Sequence, residues 1–379
     1  MAGLYIHIPF CRRKCAYCDF VSFADRVDFI PYTAALITEM RLYSPLIKDG
    51  KKFETVFIGG GTPSLLPAGL ISRILDEARE CFDIAEDAEI TLECNPESVD
   101  EAKLNEYKAA GVNRLSIGMQ SADDAVLAAI GRIHDRKKFL ESFALIKAAG
   151  FENVNIDVMH GLPMQSMESY LDSLRLASEL GAQHISSYSL ILEEHTKLYD
   201  EVVSGKIALP DEDDTADMQD AGIALLESFG YKRYEISNFA KAGFECRHNI
   251  NYWNNGDYLG LGVNAHSALH LRDKWVRFRN HETIEEYVKT LGENKLPLAE
   301  TQEVEREDEM FECIMMGLRK IEGVCRAEFE ARFGIDPVEQ FASAVSAATL
   351  DGTMEVTDEC IRLTRRGLDF QNEVLLNFM

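Results

Sequence analysis

The sequence predicts an α/β fold, a parallel sheet or (β/α) barrel with a small helix-rich unit at its C-terminal end. Three observations predict it. From residue 3 to about 236, short β-branched runs alternate with longer amphipathic stretches. Gly111, Gly150, Gly181 and Gly230 each close such a stretch a few residues before the next apolar run, as helix-ending glycines do. The polar and glycine-rich segments, residues 59–61, 93–96, 118–121, 157–163 and 193–196, fall at the C-terminal ends of the apolar runs, the rim on which barrel active sites are built.

In chain order, strands are expected at residues 4–8, 55–58, 89–93, 114–117, 153–159, 184–189 and 233–236. Between them, apolar residues at i, i+3, i+4 spacing predict helices at 29–43, 68–81, 101–110, 137–149 and 167–180. Repeated units of this kind assemble a parallel sheet. The acidic run 211–214 fits the start of a helix, where the macrodipole favours carboxylates. After residue 236 the texture changes. Residues 238–267 are rich in Asn, Gly and aromatics and read as loop with short strands; 281–291 read as helix and 296–303 as linker. From about 305 to 379 a separate, winged-helix-like unit is expected, with an alternating strand at 353–356 and a final helix at 364–369. The domain boundaries drawn from this are 1–237, 238–300 and 301–379.

Length allows two to three domains, or one large barrel with an appendage. Apolar residues at 46% are enough to bury a sizeable core, and no run approaches the roughly 18 apolar residues of a membrane helix. The N-terminus lacks a secretory pattern. A cytoplasmic protein is therefore expected, with any membrane contact peripheral. Nine cysteines, three of them clustered, argue for a metal site in a reducing compartment rather than a disulfide framework. The net charge of −25 opposes a phosphate-backbone partner, so no nucleic acid is expected. The basic run Arg12, Arg13, Lys14 sits inside the cysteine loop, where it tunes a bound cluster or meets an electron donor.

The cysteines are Cys11, Cys15 and Cys18, a C-x3-C-x2-C array directly after the first strand in GLYIHIPFCRRKCAYCD. Three thiolates cannot alone close a structural zinc site, which takes four protein ligands. They can hold three irons of a [4Fe–4S] cluster and leave the fourth to something that is not protein. The competing reading is a zinc site completed by a distant ligand such as Cys94 or Cys246. One βα unit later comes IGGGTPS, whose glycines allow close backbone approach to a ligand.

From the cysteine array onward the chain resembles the radical S-adenosylmethionine (SAM) superfamily. The resemblance implies a partial (β/α) TIM-like barrel, a [4Fe–4S] cluster on the three cysteines, and SAM on the open iron. It implies that Gly60, Gly61 and Thr62 meet the SAM amino group. Glu93 in TLECNP, Gln120 in SIGMQS, Arg132 in IGRIH and Asp157 in NIDVMHGLP match the oxygen-independent coproporphyrinogen III oxidase-like family, where these positions bind SAM, including a second molecule of it. Tyr5 and Tyr17 match ligand-facing positions there. On the residues alone, Glu93 could be a helix cap, Arg132 an exposed arginine, Asp157 a partner of a nearby helix, and the tyrosines core.

Two branches of that family differ. The oxidases carry a further cysteine two residues after the third ligand, where this chain has Phe20, and an N-terminal extension, expected to be absent here because the first strand starts at residue 3. RHNINYW, residues 247–253, contains the H-N-x-x-Y-W motif of the heme-chaperone branch. The resemblance implies heme at His248, Tyr252 and Trp253. A neutral imidazole ligates heme iron, and the aromatics offer flat apolar faces. The bland alternative is a buried His–Asn pair packed by aromatics. Cys246 and the pair His266 and His270, i and i+4 on a possible helical turn, are further candidates. The expected function is a heme-binding chaperone that delivers heme to respiratory proteins, with radical oxidative decarboxylation of coproporphyrinogen III as the alternative. The partners implied are heme, the heme-receiving respiratory proteins and an electron donor; a homodimer stays open.

Overall fold

The computed structural model describes residues 1–24, 26–47, 50–271 and 274–379. Six parallel strands lie side by side in chain order: β1 (Ala2–Ile8), β2 (Lys52–Gly60), β3 (Asp83–Cys94), β4 (Arg114–Gln120), β5 (Asn153–His160) and β6 (His184–Ser189). Leu4, Ile6 and Ile8 of β1 are fully buried, as are Val56 and Ile58 of β2 and Leu115 and Ile117 of β4. Strands covered on both faces need such near-continuous apolar runs. The connecting helices are α1 (Phe29–Ile47), α2 (Leu70–Cys81), α3 (Glu101–Ala109), α4 (Arg136–Ala148) and α5 (Met167–Glu179), and α6 (Glu212–Ser228) follows β6. Side chains of Asp100, Asp135, Ser166 and Asp211 accept backbone amides at the starts of α3, α4, α5 and α6, satisfying donors the helix leaves open. The acidic run at 211–214 is thus the start of a helix, as expected.

The sheet grows beyond the six parallel strands at both edges. Past β6 come two short antiparallel strands, β7 (Lys232–Arg233) and β8 (Asn238–Ala240). Past β1 come β9 (Asp257–Leu261), parallel to it, then β10 (His266–Leu271), β11 (Lys274–Asn280) and β12 (Leu298–Val304), each antiparallel to the last. The order is β12-β11-β10-β9-β1-β2-β3-β4-β5-β6-β8-β7.

Four expectations change here. Residues 233–236 are not a seventh parallel strand, because the chain turns there: Arg233 donates to the Ile236 carbonyl and the Glu235 carboxylate accepts from the Ser237 amide. Residues 247–253, expected in loop, form helix α7 (Arg247–Trp253). His266 and His270 stand on β10, not on a helical turn, because the segment pairs along its length with β11, from His266 opposite Arg279 to Leu271 opposite Lys274. The expected linker at 296–303 contains edge strand β12, whose first six residues are exposed and so carry no apolar alternation to read. Helix α8 (Ile284–Gly292) lies where a helix was expected.

The C-terminal residues build α9 (Arg306–Gly317), α10 (Arg326–Phe333) and α11 (Ala342–Leu350) around a three-stranded sheet. Its strands are β13 (Val324–Cys325), β14 (Met354–Val356) and β15 (Cys360–Leu363), in the order β13-β15-β14. Ile314, Phe329, Val345 and Ile361 belong to a core distinct from that of the barrel. The unit rests on the end of α7, where the Arg319 guanidinium lies 4.7 Å from the Trp253 ring centroid and Arg332 donates to the Asn255 carbonyl. Among the described residues, no helix is long and apolar enough to cross a membrane.

Candidate cluster and cofactor site

The loop after β1 is held by its backbone. The Ala16 amide donates to the Ile130 carbonyl at 3.0 Å, the Ala16 carbonyl accepts from Leu198, and Phe23 donates back to Pro9. This loop sets Cys11, Cys15 and Cys18 in the wall of one cavity of about 420 Å³ at the C-terminal ends of the strands. Cys11 is buried and the other two are half-buried, all as free thiols. Burial pushes the Cys11 and Cys18 thiols up. Donors nevertheless face the sulfurs: Thr62 Oγ1 lies 3.7 Å from Cys11 Sγ, and Arg132 Nη1 lies 3.6 Å from Cys15 Sγ. Such donors fit a group that brings the cysteines to thiolate. Of the two alternative zinc ligands, Cys94 lines the same cavity, whereas Cys246 does not and meets Glu89 instead.

Directly beside the cysteine loop stands the turn at the end of β2. Gly60 has φ +112°, and a Cβ there would stand 2.5 Å from the His7 ring; at Gly61 it would stand 2.7 Å from the Phe10 carbonyl oxygen. Only glycine lets this turn lie against the cysteine loop. The Gly60 amide donates to Glu93 Oε2 at 3.1 Å. Burial, with the nearby Asp157 carboxylate, pushes Glu93 up to about 7, and burial also raises Asp157. Asn155 and Ser116 donate to Asp157 at 2.7 and 3.3 Å. Gln120 sits at φ +65°, where the β4–β5 register shifts, and its Oε1 accepts from Tyr188 at 3.2 Å. A non-glycine residue there is strained, which marks a position held by its surroundings. Arg132 Nη2 donates to Asn95 Oδ1 and the Gly118 carbonyl at 2.7 and 2.8 Å. The cavity thus combines two carboxyls that burial pushes up and a cation would favour in ionised form, a guanidinium that can meet a carboxylate, and three thiols. That donor set fits a cluster together with a ligand bearing both an ammonium and a carboxylate.

Of the residues singled out in sequence, Tyr17, Gly60, Gly61, Thr62, Glu93, Gln120, Arg132 and Asp157 line this cavity. Tyr5 does not. It lies at mid-strand in β1, below the rim, with its hydroxyl 2.9 Å from His7 Nδ1 and its ring stacked on Phe57. Asn95 and Glu193, inside polar segments noted on the rim but assigned no role, also line the cavity, as do Ser116 and Tyr188, which were not singled out. Their one sequence signal is position, since each belongs to a strand or lies just beyond one on the same rim.

The heme motif is placed differently. His248 is 1% exposed, with Nδ1 2.8 Å from Thr55 Oγ1 and Nε2 3.0 Å from the Tyr252 hydroxyl, and it stacks on Phe57. Burial, with Arg114 nearby, pushes its imidazole down to about 3. The imidazole is thus neutral, as the sequence reading has it, and both of its ring nitrogens are engaged by neighbours. Trp253 packs under Arg319, and its buried indole Nε1 has no partner among the described residues. Asn251 donates to the Asp257 carbonyl. Tyr252 faces a second cleft of about 400 Å³ that Tyr5, Phe20, Tyr258 and His266 also line, whereas Trp253 lines a separate, smaller cavity of about 170 Å³ against the C-terminal unit. His270 is engaged by both Asp257 and Glu309.

Residues 5–177 match the radical SAM superfamily, and residues 304–370 match the HemN C-terminal domain. The chain is 35% identical to heme chaperone HemW of Bacillus subtilis, over all of this chain and 99% of that one. It is 38% identical to HemW of Haemophilus influenzae, over all of this chain and 97% of the relative, and 37% identical to HemW of Escherichia coli, over all of this chain and 98% of the relative. Among solved structures, coproporphyrinogen III oxidase (HemN) from E. coli, a radical SAM enzyme, superposes with a TM-score of 0.85 at 25% identity, over all of this chain and 89% of that chain.

Proposed function

The chain belongs to the heme chaperone HemW family, within the radical SAM superfamily, and from that premise we propose that it binds heme and delivers it to heme-requiring respiratory proteins. The observation that carries this reading is the full-length identity to those chaperones, which runs through barrel, α7 and C-terminal unit alike. Phe20 supports it from within the site, standing where the decarboxylating oxidases have their further cysteine.

Membership of the superfamily implies a [4Fe–4S] cluster and SAM. In this reading Cys11, Cys15 and Cys18 hold the cluster. Tyr17, Gly60, Gly61, Thr62, Glu93, Gln120, Arg132 and Asp157 hold SAM. When bound, the two supply one-electron chemistry to the cavity. Glu93 ionises as a cationic amine settles against it and takes its proton back when the amine leaves. Arg132 offers its guanidinium to a carboxylate while keeping its hold on Asn95. The first 237 residues serve cluster and SAM, residues 238–300 contribute to the heme site, and residues 301–379 brace the end of α7.

The test is an anaerobic heme titration of the cluster-reconstituted protein, followed by mixing with a heme-free respiratory enzyme. The expected result is a saturable Soret shift near stoichiometric heme, then transfer of that absorbance to the recipient. Vinyl product from coproporphyrinogen III, formed with reductant and SAM and without specific heme binding, would replace this reading with the oxidase.

A further inference from the structure

Resting on the heme reading above, we propose that heme iron is ligated by His266, in the cleft between the segment after the cluster cysteines and the end of α7, and that His248 only positions that cleft. Most imidazoles of the chain are already engaged or buried. His7 meets the Tyr5 hydroxyl and the Val21 carbonyl, and His184 meets Asn155 and Tyr234. His248 meets Thr55 and Tyr252, and His270 meets Asp257 and Glu309. His134 and His160 are buried. His195, His266 and His281 remain, and of these His266 alone lines one of the openings described above. It is exposed, and its ring has no hydrogen-bond partner among the described residues.

The surroundings suit a porphyrin. Phe20 is 70% exposed on the cysteine loop, an unusual position for a large apolar ring, and it walls the cleft together with Val21. Tyr252 and Tyr258 meet edge to face there, with centroids 4.7 Å apart, and their rings offer apolar faces with polar tips. Arg279 stands opposite His266 across the β10–β11 ladder, where it donates to Asn264 of the cleft wall and is paired with Glu282 and Glu300. Partial desolvation of the ring and the Arg279 charge, against the Glu300 and Glu282 carboxylates, lower the His266 imidazole, which favours the neutral, iron-ligating form. His248 donates to or accepts from the Tyr252 hydroxyl, so it sets the angle of one wall without reaching the iron.

The place of the cleft matters as much as its chemistry. Asp19 and Phe20, directly after Cys18, line both the cluster cavity and this cleft. A heme on His266 would lie against the back of the loop that holds the cluster ligands. Occupation of the cleft and the state of the cluster would then be read by the same two residues. An open cleft with an exposed ligand also suits a carrier that must release its cargo.

The experiment compares the full chain with His266→Ala, His248→Asn and Phe20→Ala in ferric-heme titrations. It follows Soret absorbance and the low-frequency iron–histidine signature of the ferrous form. His266→Ala should weaken binding at least tenfold and abolish the iron–histidine signature, and added imidazole should restore it. Phe20→Ala should weaken binding with the signature intact, and His248→Asn should retain the signature. If His266→Ala keeps both affinity and signature while His248→Asn loses them, the assignment is overturned. Failure of the unsubstituted chain to bind heme saturably overturns the heme reading itself, an outcome the variants cannot mimic.

Discussion

The upper rim of the barrel and the helix at its base are both crowded with polar side chains, but they use them in opposite ways. At the base, the Arg247 and His248 amides donate to Glu89, His248 spends both nitrogens on Thr55 and Tyr252, and Asn251 binds the Asp257 carbonyl. There α7 serves as a plug, and these polar groups are met by its neighbours, though among the described residues the Trp253 indole N–H is not. At the rim, Glu93 and Asp157 are half-buried with pKa values raised, Gln120 is held in a strained conformation, and three thiols line the cavity. Buried polarity that is satisfied builds structure, while buried polarity left in tension awaits a ligand.

Replacing any one of Cys11, Cys15 or Cys18 by serine tests the rim most severely. Essentially all bound iron and its visible absorbance should be lost on reconstitution, while the melting curve of the cluster-free protein barely moves. A variant that retains a full cluster would break the comparison at its root. His248→Ala should do the reverse. It strands the Thr55 and Tyr252 hydroxyls and opens a cavity under β1, where a Cβ at Gly3 would already lie 3.0 Å from the imidazole. The expected loss is about 3 kcal/mol of stability in chemical denaturation, with the cluster still assembled. A loss under about 1 kcal/mol would mean that the base is less tightly built than its hydrogen bonds imply.

The same contrast explains what could be read before any coordinates. Parallel strands end on one rim, so a motif placed after a strand is delivered to that rim by topology alone; residues 59–62, 93 and 120 were legible for that reason. Nothing comparable governs a short helix. RHNINYW names good heme-binding residue types, but whether His248 points outward depends on the distant partners Thr55, Phe57 and Glu89, which no local pattern announces. Edge strand β12 was missed for a related reason, since exposure on both faces removes alternation. Tyr5 lies in the strand that carries the cysteine loop but at mid-strand, with its hydroxyl on His7, a height that a strand pattern does not give.

Within the rim, Glu93 and Gln120 separate ligand from scaffold. A carboxyl raised from 4.5 to about 7 costs the fold nothing when protonated, and the penalty grows as pH rises from the unfolded value through about 7. A cationic ligand reverses that penalty by favouring the ionised form. SAM affinity should therefore rise roughly tenfold between about pH 6 and 8 in the native chain, and Glu93→Gln should flatten the profile while weakening binding. An unchanged slope in isothermal titration would remove Glu93 from the site. Gln120→Gly relieves the strain at φ +65° but strands the Tyr188 hydroxyl and empties a buried position, so it should lower stability by about 1 kcal/mol and weaken SAM binding by removing the amide.

The smallest expected effect lies where the base meets the C-terminal unit. His270 bridges Asp257 and Glu309, which also receives Arg332, and Asp257 is paired with Lys51 as well. The hydrogen bonds from Asp257 and Glu309 hold the His270 imidazole up at about 9. Because the folded value lies above the ordinary 6.5, the stabilisation is fully present below that pH and disappears as pH rises through about 9. His270 is 40% exposed in its side chain, so solvent screening keeps the effect under about 1 kcal/mol. His270→Gln should remove a shallow loss of thermal stability between about pH 7 and 9 and leave cluster absorbance and SAM affinity unchanged. If the substitution instead altered SAM affinity, the base would be energetically coupled to the rim, and the division between a satisfied plug and a strained cavity would no longer hold.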